Sequence, residues 1–504
     1  MSGWGSGYVT DITYMTGYYR YQAPSLMSLA CMLGNVAAPL PGPDDDVSYL
    51  ELGCGQGFGA LLLAASNPRW KVTAIDFHPA HIATAREWAA KARLDNIRFL
   101  EADLSTLAED AASAAIPEAD YVSFHGVWSW VPRSVQDGIV RLLQQKVKPG
   151  GTVHLSYNAL PAWGPALGLQ RVLREGGQRL HAGRSDQQAV EGLKLVQELR
   201  GADAYQLVRS LWLKNLIERT EQLPTQYLAH EYMNEAWAPC FHADVAHAMA
   251  GAKLEWVASA NLAENFPELT FTPEQRAIAR RINDPVLREL IKDMCLNRSL
   301  RHDVFVRGAR RISPAMRDAA LRDVWLSSSI APSELPAEVE MPVGNAELSP
   351  GFYQPIANAL ASGPRRVDDL LSLPDLEGKR DNPAELIGVM VGLHMAEAVL
   401  RPGAEPVPQA SRFNRLITSE LSRSENPGKG LAAASHLLGG GAPCSLFDLY
   451  VLERVQAGEG EANLDDWVRH IGGNMEEEGR ARLREVLTRC LQVRVPVMRA
   501  QGVT

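Results

Sequence analysis

The sequence predicts an α/β protein built on a doubly wound, Rossmann-like parallel sheet, with a helical insertion and a mostly helical, winged-helix-like C-terminal domain. Three observations carry that expectation. Residues 47–157 alternate short apolar runs with amphipathic stretches, the pattern of repeated βαβ units. The first run, within "YLELGCGQGFGALLLA" (49–64), opens into alternating glycines where a helix begins, so the backbone there approaches something closely. After "LSYNALPAW" the alternation gives way to longer helical periods.

Taken in order, "VSYLEL" is the first strand and "FGALLLAAS" the helix after the glycines. "WKVTAID" is the second strand, and Pro79 opens the helix "AHIATAREWAAKARL". "NIRFLEA", "ADYVSFHGV" and "GTVHLSY" are the third to fifth strands. The helix "RSVQDGIVRLLQQKV" lies between the last two and stops at Pro149-Gly150-Gly151. From about 165 to 250 the chain reads as helices, including "DQQAVEGLKLVQELRG" and "AYQLVRSLWLKNLIERT". "KLEWVASA" and "RHDVFVRG" then read as the last strands of the first sheet, displaced by the insertion, or else as a small separate domain. The Pro-rich "APSELPAEVEMPVG" (331–344) reads as a linker. Beyond it "RRVDDLLSL", "PAELIGVMVGLHMAEAVLRPG" and "LDDWVRHIGG" are amphipathic helices, and "LQVRVPVMRA" is strand-like. The domains expected are therefore 1–160 (glycine-loop sheet), 161–250 (helical middle region, regulatory or dimerising), 251–310 (last strands) and 331–504 (protein interaction).

Composition narrows the function. A chain of 504 residues exceeds one ordinary core, and 46% hydrophobic with 22% charged residues is globular. A net charge of −9 argues against a general nucleic-acid binder. The segment 331–504 holds 17 lysines and arginines against 24 aspartates and glutamates, which suits protein contact better than DNA. The six cysteines are scattered without a Cys-x-x-Cys pair, as in a reducing compartment and without structural zinc. "MSGWGSGYVTDITYMTGYYR" lacks the basic start and apolar run of a signal peptide. No stretch reaches the roughly 20 apolar residues of a membrane span. The expectation is a cytoplasmic protein.

The glycines discriminate between cofactors. A dinucleotide fingerprint Gly-x-Gly-x-x-Gly fails from Gly53, because Phe58 holds the last place. From Gly55 it survives only with Ala60, two residues later than the strand end favours. Glu51-Leu-Gly53-Cys-Gly55-Gln-Gly57 instead fills every place of Glu/Asp-x-Gly-x-Gly-x-Gly, and so resembles the class I S-adenosylmethionine methyltransferases. That resemblance implies glycines against the methionine portion and ribose of S-adenosyl-L-methionine. Asp76, closing "KVTAID", would take the ribose hydroxyls, although an acid there serves NAD equally. Asp103 and the backbone at Leu104, in "FLEADL", would meet the adenine edge.

"HGVWSWVP" and "LSYNALPAW", with "YMTGYYR" and "YLAHEYMNE", resemble a bacterial methyltransferase family carrying a methyltransferase regulatory domain. Its best-known relatives are rickettsial outer-membrane-protein lysine methyltransferases, and the resemblance covers about residues 10 to 310. It implies a protein lysine acceptor. Two readings stay open beside it: a small-molecule O- or N-methyltransferase, and a non-catalytic S-adenosylmethionine-binding scaffold. His125, past the fourth strand, is expected to contact the donor or position the acceptor. Trp128, Trp130 and Tyr157 are expected to wall the acceptor channel. Tyr14, Tyr18, Tyr19 and Arg20 would fold over the donor as a lid, Arg20 meeting its carboxylate. No Asn/Asp-Pro-Pro-Tyr is present, which speaks against base or glutamine methylation. His230-Glu231 begins a His-Glu-x-x-His, but Asn234 holds the last place, so no zinc and no metal is expected. Leu193, Leu195, Val196, Leu199, Leu211, Trp212 and Leu216 line helices that either support a homodimer or pack on the chain itself.

Overall fold

The computed structural model describes residues 5, 7–12, 16–378, 381–421, 430–473 and 475–504. Helix α1 (Pro24–Leu33) leads into β1 (Ser48–Leu52), α2 (Phe58–Ser66), β2 (Lys71–Asp76), α3 (Pro79–Ala92), β3 (Ile97–Glu101), β4 (Ala119–Phe124), α4 (Arg133–Lys146) and β5 (Val147–Asn158). Strands β6 (Leu254–Ser259) and β7 (Leu300–Arg307) complete one seven-stranded sheet in the order β3-β2-β1-β4-β5-β7-β6. Strands β1 to β5 are parallel, while β7 runs antiparallel to both β5 and β6. The order reverses direction between β1 and β4. A crevice therefore opens at the carboxyl ends of those strands, where doubly wound sheets hold ligands.

Between β5 and β6 lie α5 (Leu167–Leu180), α6 (Ser185–Gly201), α7 (Tyr205–Val208), α8 (Leu211–Thr220), α9 (Thr225–Tyr232) and α10 (His242–Ala250). Val196, Leu213, Ile217 and Leu228 form a core with Trp163 and Trp237, to which Val9 and Ile12 of the N-terminal arm are added. Leu193, Leu199, Trp212 and Leu216 pack half-buried against the same cluster. Most of the apolar positions noted in these helices are thus used within the chain. Leu211, at 72% exposure, is turned outward.

The C-terminal segment is not strung on a free linker. Within 331–344 the chain makes a short turn and a strand, Glu338–Met341, that pairs with Gly344–Glu347. Helix α2 explains why this segment cannot be separate. Its sequence "FGALLLAAS" is apolar all round, and all nine residues are buried. One side faces the sheet, and the helix Pro408–Leu421 with the hairpin at 432–443 covers the other. The Phe58 and Phe413 rings lie 5.8 Å apart, and Gln409 Nε2 donates to the Ala64 carbonyl at 2.7 Å. Asn67 Nδ2 and Ser66 Oγ donate to the carbonyls of Gly439 and Gly440. Phe413 and Ile417 are fully buried, each worth about 1.5–3 kcal/mol relative to exposure.

"LQVRVPVMRA" is helical rather than a strand. It continues the helix Glu477–Arg489 as a wide turn at Cys490–Arg494 and the helix Val495–Ala500. Pro496 lies just past the wide turn, at the second position of that last helix. Among the described residues no helix is long and apolar enough to cross a membrane.

A truncation ending at residue 330 strips the cover from α2 and α3 and opens the shared core. It should lose cooperative unfolding, read by circular dichroism and limited proteolysis. A 1–330 fragment that unfolds cooperatively would show that the C-terminal segment is dispensable for the sheet.

Candidate functional site

The loop after β1 is shaped by its glycines. Gly53 has φ +69°, and a Cβ there would lie 2.4 Å from Val127 Cγ2. Gly57, at φ +75°, would drive a Cβ to 2.6 Å from the Phe99 ring. Any other residue at either place is both strained and in collision. The loop is tied to β2. Gly53 and Cys54 donate their N–H groups to the Ile75 carbonyl at 2.8 and 3.0 Å, and Gly55 N–H donates to Asp76 Oδ2 at 2.8 Å. Asp76 Oδ1 accepts the His78 N–H at 2.9 Å and lies 3.4 Å from His81 Nδ1. One carboxylate so fixes the ends of two adjacent loops, with acceptor capacity left over.

These loops enclose a cavity of about 440 Å³. Glu51, Asp76, Glu101 and Asp103 line it, and among the described residues no lysine or arginine does. Such a lining favours a cationic ligand and opposes a pyrophosphate, whose charges would face carboxylates with no base to offset them. Glu51 makes the case sharper. It is 5% exposed, takes one bond from Gln22 Nε2 at 3.1 Å on Oε1, and leaves Oε2 buried without a partner. Burial pushes its carboxyl up to about 7, against the Gln22 bond and with help from Asp76. A sulfonium with an ammonium group fits a cavity of this charge. Among the described residues no group of three His, Cys, Asp or Glu is arranged to hold a metal.

The structure brings Glu51, Gly53, Gly55, Asp76, Asp103, Leu104 and His125 to the cavity wall. Asp103 is exposed, and its Oδ1 also accepts the Ser105 N–H at 2.8 Å. His125 stacks on Tyr19 with centroids 3.7 Å apart, and its Nδ1 lies 2.9 Å from Ser156 Oγ. Burial pushes its imidazole well below the usual range, so the ring is neutral at physiological pH. Gly57 shapes the loop from the start of α2 without lining the cavity.

Tyr18, Arg20, Trp128 and Tyr157 are elsewhere. The arm at 18–22 divides its partners between two parts of the chain. Tyr18 Oη accepts the Gly441 N–H at 3.1 Å, and Arg20 pairs with Glu397 at 2.8 Å and donates to the Val391 carbonyl at 2.9 Å. Tyr19 and Gln22, in contrast, meet His125 and Glu51. Arg20 is therefore spent on the C-terminal segment and not on a donor carboxylate. Tyr14 lies outside the described residues. Trp128 is buried among Phe124, Ile139 and Leu142, while Trp130, at the far end of the same short helical turn, reaches the cavity. Tyr157 is fully buried and donates to Asp303 Oδ2 at 2.6 Å, which Arg301 also holds. Strand alternation accounts for this: Ser156 points toward His125, so Tyr157 must point to the opposite face. Tyr8, Gln22, Gln56, Phe77, His81 and Glu101 line the cavity with no signal in the glycine pattern itself.

Two outcomes follow for S-adenosylmethionine as ligand. Asp76→Ala should weaken it by about 1.5–3 kcal/mol, the scale of a hydrogen bond to a charged group. Unchanged affinity in calorimetry, with the fold intact, would remove Asp76 from the site. The second concerns pH. A carboxyl raised by the fold stabilises it only while protonated: that contribution is full at low pH and fades as pH climbs through about 7. A cation bound beside Glu51 favours the carboxylate instead, so binding releases a proton. Affinity should rise from about pH 5.5 to 7, and Glu51→Gln should flatten the rise. Equal slopes in the two proteins would contradict it.

The chain matches two family descriptions: "Methyltransferase domain" over residues 50–151 and "Predicted methyltransferase regulatory domain" over 224–307. It is 30% identical over 372 residues to "Uncharacterized protein sll1526" of Synechocystis sp., covering 73% of this chain and 71% of that one. It is 22% identical over 348 residues to "Uncharacterized protein RP789" of Rickettsia prowazekii, covering 67% of this chain and 60% of that protein. Among solved structures, PKMT2 from Rickettsia typhi in complex with AdoHcy superimposes with a TM-score of 0.70 at 15% identity, over 97% of this chain and 99% of that one. At that identity the likeness speaks for the fold. Together with the sequence relatives it completes the assignment: the chain belongs to the class I S-adenosylmethionine-dependent methyltransferases that carry a methyltransferase regulatory domain.

Proposed function

We propose that the chain is a protein lysine N-methyltransferase acting on a protein acceptor in the cytoplasm. The observation that carries this reading is the second half of the cavity lining. Beyond the four carboxylates, Tyr8, Tyr19, Phe77 and Trp130 line it together with Val131 and Pro132. An aromatic and apolar wall suits the alkyl stem of lysine, and a channel of this kind favours the neutral amine over the ammonium. The likeness to PKMT2 over the whole chain length agrees with it. So does the acidic C-terminal segment, which suits lysine-bearing chains.

In this reading Glu51 holds the donor's ammonium, Asp76 its ribose hydroxyls, and Asp103 with the Leu104 backbone its adenine. The bound donor supplies a methyl group on a sulfonium, open to in-line displacement. Alignment of acceptor, methyl and sulfur then provides much of the acceleration. His125, held neutral by burial and fixed between Tyr19 and Ser156, adds no charge to repel the sulfonium.

The test is donor-dependent labelling of a host lysate, separated into protein and small-molecule fractions. Label should appear in protein and be recovered as Nε-methyllysine after hydrolysis. Label confined to a small metabolite would replace the lysine reading with that of a small-molecule methyltransferase.

A further inference from the structure

We propose that His125 donates its Nε2–H to the carboxylate of S-adenosylmethionine, and that Ser156 is the positioning residue that fixes the ring for it. This rests on the placing of the donor's ammonium at Glu51 and extends it to the rest of the amino-acid end. The carboxylate is the part of S-adenosylmethionine that the cavity suits least. Glu51, Asp76, Glu101 and Asp103 line the cavity, among the described residues no lysine or arginine does, and Arg20 is held by Glu397. With no such cation on the wall, an anion there must be met by neutral N–H or O–H groups.

Ser156 decides what His125 can offer. Strand register brings the two together: Phe124 pairs with Leu155 across β4 and β5, and the next step sets His125 beside Ser156. Ser156 is fully buried, and its Oγ accepts the Gly126 N–H at 2.9 Å. Its other hydrogen-bond partner among the described residues is His125 Nδ1, at 2.9 Å. A hydroxyl has one hydrogen to give, and here Nδ1 is the acceptor that takes it. Were Nδ1 to hold the proton instead, a buried hydroxyl hydrogen would go unpaired. Burial, with His302 nearby, keeps the ring neutral, so its one N–H is at Nε2. That nitrogen has no hydrogen-bond partner among the described residues, and it is not sealed in as Nε2 of His81 and of His242 are. On a ring that lines the cavity, it is an N–H awaiting an acceptor.

The same geometry sets this N–H beside Glu51. Glu51 pairs with Ser123 across β1 and β4, and His125 lies two residues beyond Ser123, continuing the same face. The arm bridges the two acidic and basic neighbours: Gln22 Nε2 donates to Glu51 Oε1 at 3.1 Å, and Tyr19 stacks on His125 with centroids 3.7 Å apart. The Gln22 N–H donates to the Tyr19 carbonyl at 2.9 Å, so both contacts come from one turn. The ammonium and carboxylate of an amino acid sit on one carbon, and Glu51 and His125 take one each.

The experiment compares S-adenosylmethionine with its decarboxylated form, which keeps the ammonium and the sulfonium, by calorimetry on the full chain. Wild type should prefer the carboxylate-bearing ligand by roughly tenfold to a hundredfold, the range for a hydrogen bond to a charged group. His125→Phe keeps a ring against Tyr19 without the N–H, and should lose that preference by weakening S-adenosylmethionine alone. His125→Gln, whose amide can present an N–H in its place, should keep part of it. Heteronuclear NMR of histidine-labelled wild type, with His125 assigned by its loss in His125→Gln, should show that ring protonated at Nε2. Ser156→Ala should lose this single-tautomer signature. Equal affinities of wild type for the two ligands, an unchanged preference in His125→Phe, or a proton on Nδ1 would each overturn the proposal while leaving the ammonium at Glu51 standing. Glu51→Gln tests that placement by itself: if both affinities stay unchanged, the ammonium is elsewhere and this assignment falls with it.

Discussion

A single carboxylate organises the cavity at the carboxyl ends of the sheet strands. Asp76 accepts the Gly55 N–H from the loop after β1 and the His78 N–H from the turn after β2. It adds a tie at Gly55 to the two that Gly53 and Cys54 make with the Ile75 carbonyl, so that all of the loop's positive-φ glycines sit on a segment fastened to β2. Hydrogen bonds to a charged acceptor contribute about 1.5–3 kcal/mol each, enough to select one loop arrangement among many. The consequence is electrostatic as well as steric. With the loop fixed, Glu51 is closed in beneath it and four carboxylates share a cavity that, among the described residues, no lysine or arginine lines. A cation is the ligand such a cavity is built to receive.

The second constraint is the arm at residues 16–22. Its side chains join two parts of the chain that the sequence separates by hundreds of residues. Tyr18 and Arg20 hold the C-terminal segment, while Tyr19 and Gln22 hold the cavity through His125 and Glu51. The Arg20–Glu397 pair is nearly buried, with side-chain exposures of 9% and 13%. Removal of one partner from such a pair leaves an uncompensated charge, so the arm cannot easily part from the C-terminal segment. The described residues of the C-terminal segment therefore bear on the cavity without lining it.

Much of the sheet and of the cavity wall was legible in the sequence, for local reasons. Glu51, Gly53, Gly55 and Gly57 are read from one stretch of seven residues, and Asp76 from the end of the next strand. What failed to show was every feature set by distant packing. Whether Arg20 faces a donor or Glu397 depends on a partner 377 residues away. Trp128 and Trp130 differ only in which end of a short turn they occupy. The strand period at Ser156 and Tyr157 did hold the information that the two diverge, but only once one of them was known to face the cavity. Likewise "FGALLLAAS" announces by its unbroken apolarity that both of its sides are covered, without saying by what. Its cover proved to be the C-terminal segment, whose terminal "LQVRVPVMRA" joined a helix because the helix before it continued unbroken.

The central claim is that the Asp76-fixed glycine loop and its ring of carboxylates form the donor site. A crystal structure of the full chain with S-adenosylhomocysteine tests it most directly. The account places the ribose hydroxyls on Asp76, the adenine edge at Asp103 and Leu104, and the amino group at Glu51. A nucleoside bound with its ribose away from Asp76, or in another crevice of the sheet, would contradict it.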